Sequence, residues 1–237
     1  MDRSVTVNTD YRPVTDRTLS FRGLAEVFYS PTAFFEKSKE RPSLLAPFIA
    51  FAVLLITFSL VTIDISFETL MERTQEQTQG RMEFTPEEAR SMKRQVLVND
   101  NVVLFLVPLI AAGLCMLWGN LVYPGAARFK QVLSVMLYGE VIYAVGKIVL
   151  APLMLIKQTT SVSLSLAVLA PYLGESRLLP LALSRIDLFL IWEIVAIGIG
   201  LSIIYDVSRN RGYLYSVLSM GLLSVCSVLF RAVLMMQ

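Results

Sequence analysis

Apolar and polar positions fall along this chain in blocks rather than in alternation. Residues 44–63 supply twenty positions without a charge, and residues 102–123 supply twenty-two. Residues 132–156 are as long but carry Glu140 and Lys147. Residues 188–205 are fewer and carry Glu193, and residues 213–235 are uncharged except for Arg231. A hydrocarbon core of about 30 Å takes roughly 20 apolar residues of helix. The blocks therefore predict an all-α membrane protein, a bundle of five transmembrane helices with spans near 44–63, 102–123, 132–156, 188–205 and 213–235. They form a transmembrane domain over 44–235.

The residues before the first block read differently. Residues 1–20 are polar and irregular, which predicts a flexible cytoplasmic tail. From Phe21 the apolar positions Phe21, Leu24, Val27 and Phe28 recur at helical spacing. Ser30-Pro31 has the form of an N-cap followed by proline at the first helical position. The short helix that follows carries Phe34 and Phe35 opposite Glu36, Lys37 and Lys39, and Arg41-Pro42 closes it. Residues 21–43 are thus expected to form an amphipathic interfacial segment on the membrane surface. Phe21, Leu24, Phe28, Phe34 and Phe35 would be its lipid-facing or partner-binding side. The first 43 residues hold no apolar run of signal-peptide type, so no cleaved leader is expected.

The connections set sidedness. Residues 124–131 and 206–212 are tight turns that hold Arg128, Lys130, Arg209 and Arg211, whereas 64–101 and 157–187 are long. Basic residues in short loops mark the cytoplasmic side. With five spans, the amino terminus is cytoplasmic and the carboxyl terminus lies outside. The first long connection carries eight acidic and five basic residues, an acidic outer loop over 64–101. Within it, Thr85-Pro86-Glu87-Glu88 has the form of a capping box and predicts a helix from Pro86 toward Val98. The uncharged stretch 158–174 includes the alternation Ser161-Val-Ser-Leu-Ser-Leu166. It is open to reading as a strand, an interfacial helix, a re-entrant segment or a sixth span, the last of which would reverse all that follows.

Composition narrows the class further. The chain of 237 residues is 55% hydrophobic and 17% charged, with a mean hydropathy of +0.61. Soluble domains carry about 45–50% apolar residues and about 25% charged ones. A net charge of +2 gives no basic field for nucleic acid. The chain has no histidine, which removes the usual general base and the commonest metal ligand. Cys115 and Cys226 both sit in apolar runs, so no disulfide framework or zinc site is readable. Gly198-Ile-Gly200 lies inside an apolar span and follows no strand. It suits close helix packing rather than dinucleotide binding. No catalytic residue, cofactor or metal is expected, and the lipid bilayer is the first partner.

The informative residues are the charges inside the spans, each of which costs at least about 2.5–3.5 kcal/mol unless it finds a partner or water. At about 1.5 Å per residue, Lys147 lies roughly 13 Å and Glu193 roughly 9 Å from the outer side, with Arg231 nearest the same side. Glu193 is the expected acceptor for Lys147, Arg231 or both, a clamp on the third, fourth and fifth spans. Glu140, roughly 12 Å from the cytoplasmic end, shares a helix face with Lys147. The competing reading is a polar route for an ion or small solute past Glu140, Lys147 and Glu193, as in a small permease or channel. Glu140, Lys147, Glu193 and Arg231 sum to zero charge, which favours a packed assembly element.

The order of segments resembles the Yip1-domain family of five-span membrane proteins in its bacterial form. The matching stretches are Ser30-Pro-Thr-Ala-Phe-Phe-Glu36 with Arg41-Pro42, then Arg128-Phe-Lys-Gln-Val132 leading to Tyr138-Gly139. The most specific is Ser184-Arg-Ile-Asp-Leu-Phe-Leu-Ile-Trp-Glu193, continuing through Gly198, Gly200 and Ser202. The resemblance covers roughly residues 22–235, and the acidic first connection is longer than the family pattern. It implies a signature at Asp187, Trp192, Gly198 and Gly200 rather than an active site. Eukaryotic relatives are associated with vesicle trafficking and Rab-type GTPases, and some bacterial ones with ABC transporters. The implied role is an accessory subunit, adaptor or scaffold of the bacterial cytoplasmic membrane, with membrane-protein partners.

Overall fold

Several helices of this protein begin where the chain supplies a cap or a proline. The computed structural model describes residues 17–77, 85–122, 127–160, 183 and 187–234. Among these residues the secondary structure is helical, with no strand. In chain order the helices are α1 (Arg17–Tyr29), α2 (Pro31–Ser38), α3 (Leu45–Gln77), α4 (Pro86–Val122), α5 (Phe129–Lys157), α6 (Leu188–Ile204) and α7 (Arg209–Leu234).

Among the described residues three helices are long and apolar enough to cross a membrane, over Leu45–Glu72, Leu104–Leu121 and Phe129–Lys157. Each overlaps one of the first three expected spans. Leu188–Ile204 is a shorter apolar helix. Arg209 and Arg211, expected in a tight turn, occupy the first turn of α7 instead. Residues 161–174, most of the ambiguous uncharged stretch, lie outside the described residues.

The acidic connection over 64–101 is not a loop where it is described. Its capping box forms as expected: the Thr85 amide donates to Glu88 Oε2 at 2.8 Å, and the Glu88 amide to Thr85 Oγ1 at 3.3 Å. The helix then continues through residue 98 into the membrane segment without a break. On the other side α3 runs past residue 63 to Gln77. The reason is local. Loss of hydropathy ends a membrane span but does not end a helix. No glycine or proline falls between Pro47 and Gln77 or between Pro86 and Pro108.

The two extensions pair as an antiparallel hairpin. Lys93 forms an ion pair with Asp64. Closer to the membrane, Asn101 Nδ2 donates to Ser59 Oγ at 3.1 Å. Exposed ion pairs contribute about 0–1 kcal/mol.

Helix α5 stands at the centre of the bundle, packed against α3, α4 and α6, and α6 lies between α5 and α7. The core is built from Val132, Val135, Met136 and Ile142 of α5 with Ala196, Ile197 and Leu201 of α6. Ala111, Ala112 and Cys115 of α4 pack onto the same cluster.

Helix α1 starts at Arg17, inside the stretch expected to be a flexible tail. An α-helical amide bonds the carbonyl four residues back, so a helix that includes Phe21 draws in Arg17. Pro31 opens α2 as its position predicts, although the Ser30 side chain before it makes no cap hydrogen bond. The segment expected to lie on the membrane surface turns inward. Phe34 is 6% and Phe35 2% exposed. Phe34 meets Tyr138 of α5 edge-on with ring centroids 4.5 Å apart, and Phe35 meets the same ring at 6.4 Å. Val27 is buried, Leu24 and Phe28 pack on the core from its edge, and the Phe21 side chain lies outside the described residues.

Amphipathic spacing marks a face to be covered without saying by what, and here α5 and α6 cover it. Three polar contacts hold this arrangement. Gln131 Nε2 donates to the Lys39 carbonyl at 2.9 Å, Ser134 Oγ to the Ser43 carbonyl at 2.8 Å, and Arg209 Nη2 to Thr32 Oγ1 at 2.9 Å.

Candidate functional site

The site begins with a helix cap. Asp187 precedes α6 in extended conformation, and its Oδ1 accepts the Leu190 amide at 2.7 Å. This satisfies one of the amides that a helix start leaves unpaired. The cap sets the register of α6 and places Phe189, Glu193 and Ile197 one turn apart on a single face.

That face seats against two glycines of α5. A Cβ added at Gly146 would stand 2.5 Å from Phe189 Cγ, and one at Gly139 would stand 2.5 Å from Cδ1 and Cγ1 of Ile197. Glu193 lies between these contacts, its Cγ 3.5 Å from the same Gly139 position. Glu140 is the next residue of α5. The seam thus brings two carboxylates from facing helices into one buried region.

Both acids are enclosed, Glu140 at 3% and Glu193 at 1% exposure. In each, Oε1 is buried without a hydrogen-bond partner. Glu140, Asp187 and Lys147 lie within the electrostatic reach of Glu193. The expected clamp is not a direct ion pair between Lys147 and Glu193. Among the described residues no ion pair joins them. The Lys147 ammonium instead lies over the Tyr143 ring, 4.8 Å from its centroid, one turn back on α5. The Arg231 side chain lies outside the described residues, so its part in the clamp does too. Among the described residues no three Cys, Asp or Glu side chains gather as a metal site.

The remaining signature residues are packing elements. Gly198 faces Tyr213 of α7, where an added Cβ would stand 3.0 Å from the Tyr213 Cα. Gly200 faces Val135 and Phe35. Close helix approach at Gly198 and Gly200 is what the sequence suggested for this pair. Ser216 of α7 adds a hydrogen bond across the same interface, its Oγ donating to the Ile194 carbonyl at 2.8 Å. Trp192 is half-buried at the rim of the core. The seam glycines Gly139 and Gly146 were missed as a pair. Their spacing of seven on α5 was the available signal.

Long apolar helices, glycine seams and carboxylates buried in a bundle define a helical integral membrane protein, whose first partner is the lipid bilayer. The chain belongs to the Yip1 domain family, whose model matches residues 25–230. It is also similar to membrane protein YknW of Bacillus subtilis (strain 168), with 25% identity over 210 residues that cover 85% of this chain and 87% of the relative. No solved structure matches it.

Proposed function

We propose that this Yip1-family protein is a non-enzymatic accessory subunit, adaptor or scaffold of a larger membrane complex. It crosses the bacterial cytoplasmic membrane five times, with its amino terminus in the cytoplasm and its carboxyl terminus outside. ABC transporters and trafficking-type assemblies are the complexes that the family resemblance suggests.

The observation that carries this reading is the α3–α4 hairpin. Helix α3 has 33 residues and α4 has 37. At about 1.5 Å per residue they measure roughly 50 Å and roughly 55 Å, against about 30 Å of hydrocarbon. Two paired helices therefore stand roughly 20 Å clear of the bilayer. Asp64, Glu68 and Glu72 recur along α3 at the spacing of one helix face and are exposed. A post of paired helices with this exposed acidic stripe, in which Asp64 is already paired with Lys93, suits contact with another protein. The test is copurification from mild detergent with mass spectrometry, comparing the native chain with Glu68→Lys/Glu72→Lys. A stoichiometric partner retained by the first and lost by the second is expected. No partner, or one indifferent to the reversal, would overturn the proposal.

A second reading, a small permease or channel, draws on the orphan carboxylate oxygens of Glu140 and Glu193. Groups of this kind inside a membrane commonly mark an ion or proton route. Its test is flux in liposomes: Glu140→Gln would abolish transport while leaving the fold intact.

A further inference from the structure

The turn between α6 and α7 holds two charges at the wrong ends of their helices. Asp206 follows the carboxyl end of α6, where the helix dipole is negative, and Arg209 opens α7, where it is positive. Asp206 also has a φ of 53°. That left-handed region usually falls to glycine at this position. The conformation closes α6, since the Val207 amide donates to the Ser202 carbonyl at 2.9 Å. Glycine would serve this turn with less strain; aspartate adds a carboxylate.

Asp206 lines an open cleft of about 360 Å³ together with Glu36, Lys39, Ser202, Ile203 and Arg209. The volume corresponds to roughly a dozen waters at ~30 Å³ each. Two anions and two cations therefore surround one space, and among the described residues no ion pair joins any two of them. Each helix end asks for the charge opposite to its own side chain: an anion beside α7 with Arg209, a cation beside the α6 carbonyls with Asp206. A molecule that carries both a phosphate and an ammonium meets both demands. The cleft lies at the end of apolar α6 and beside the helix that precedes α3, which is headgroup depth if both helices cross the bilayer.

We propose that this cleft binds the phosphoethanolamine headgroup of a membrane phospholipid. Arg209 and Lys39 take the phosphate; Asp206 and Glu36 take the ammonium. The inference rests on the five-span reading. An ammonium donates three hydrogen bonds and a trimethylated one donates none, so the site distinguishes phosphatidylethanolamine from phosphatidylcholine. Phosphatidylglycerol offers the phosphate alone.

The test reconstitutes the full chain in nanodiscs of equal phosphatidylethanolamine, phosphatidylcholine and phosphatidylglycerol and reads retained lipid by native mass spectrometry. At least threefold enrichment of phosphatidylethanolamine over each of the others is expected. Asp206→Gly relieves the backbone and removes the carboxylate. It should raise the melting temperature in pure phosphatidylcholine while collapsing the enrichment to parity. Lys39→Ala, which leaves the carbonyl bonded to Gln131 in place, should weaken retention of all three lipids at the site.

Equal retention of phosphatidylethanolamine and phosphatidylcholine would overturn the proposal, as would phosphatidylglycerol retained as well as phosphatidylethanolamine. Protection of detergent-solubilised protein by soluble O-phosphoethanolamine as strong as that by the lipid would overturn the membrane source. Labelling of Ser208→Cys with a membrane-impermeant maleimide checks the five-span reading separately. A misplaced turn and an unselective cleft therefore give different results.

Discussion

Replacing Gly139 by alanine adds one carbon to the α5–α6 seam at a point where the structure leaves no room. The new Cβ would stand 2.5 Å from both Cδ1 and Cγ1 of Ile197. Carbon atoms rest about 3.5–4.0 Å apart, so the seam must open by about 1 Å or Ile197 must move. Ile197 is fully buried, and a β-branched side chain in a helix has one strongly preferred χ1. Overpacking of this kind costs about 1–3 kcal/mol. We expect about 2 kcal/mol for Gly139→Ala, a factor of roughly 30 in the folded-to-unfolded ratio.

Ile197→Ala removes both clashing carbons. Alone it leaves a cavity and should cost about 2 kcal/mol, the low end for such truncations because lipid supplies little of the transfer term. The double variant should fall short of additivity by about 1–2 kcal/mol. Gly113→Ala is the control, since nothing lies within 4 Å of its added Cβ. Helical alanine there should be neutral or better by up to about 1 kcal/mol. Reversible unfolding by sodium dodecyl sulfate in mixed micelles, followed by circular dichroism, measures all four. A neutral Gly139→Ala, or strict additivity with Ile197→Ala, would refute the packed seam and with it the placement of Glu193 beside Glu140.

Three other outcomes follow from contacts already described. Asp187→Ala should cost about 1 kcal/mol and raise hydrogen exchange in the first turn of α6, with Asp187→Asn restoring most of it. Glu88 is exposed, and its hydrogen bonds from the Thr85 amide and hydroxyl hold its carboxyl below the usual carboxylate value. A lowered folded value means support that is fully present above the unfolded value and lost as pH falls through the folded one. The start of α4 should thus fray once pH drops below the usual carboxylate range, seen in spin-label mobility at Arg90→Cys; Glu88→Gln should abolish that pH dependence, whereas Thr85→Ala, which keeps the amide donor, should only weaken it. Phe34→Ala removes a ring seated on Tyr138. It should cost about 3 kcal/mol and expose α2 to proteolysis, whereas Phe34→Leu should retain most of the stability.

The first three expected spans coincide with long apolar helices because hydropathy reports environment directly. The expected blocks at 44–63 and 132–156 fall on α3 and α5, and the cap at Thr85 forms where its side chains predicted it. Asp187 was legible only as part of a signature; its work as a cap depends on where α6 begins. Three further things were not readable, each for a physical reason. Hydropathy says where lipid ends and nothing about where backbone hydrogen bonding ends, so α3 and α4 were cut short. Phe34 and Phe35 satisfy a helix face equally well against lipid or against Tyr138, and only the fold chooses. The partner of Glu193 depends on the register between two helices. That register is set by Gly139 and Gly146 on α5, not by any pattern within α6.

The hairpin also has a mechanical consequence. Helix α4 is a single rod from Pro86 to Val122, with Pro108 as its one interior proline. Kinks in long helices concentrate at proline. From Pro86 to Pro108 the rod measures about 33 Å, so a tilt of ~10° about Pro108 sweeps the outer tip through about 6 Å. A force on the tip would thereby work a lever whose fulcrum lies in the apolar stretch Leu104–Leu121. The short arm of that lever is the stretch of α4 that packs Cys115 into the core.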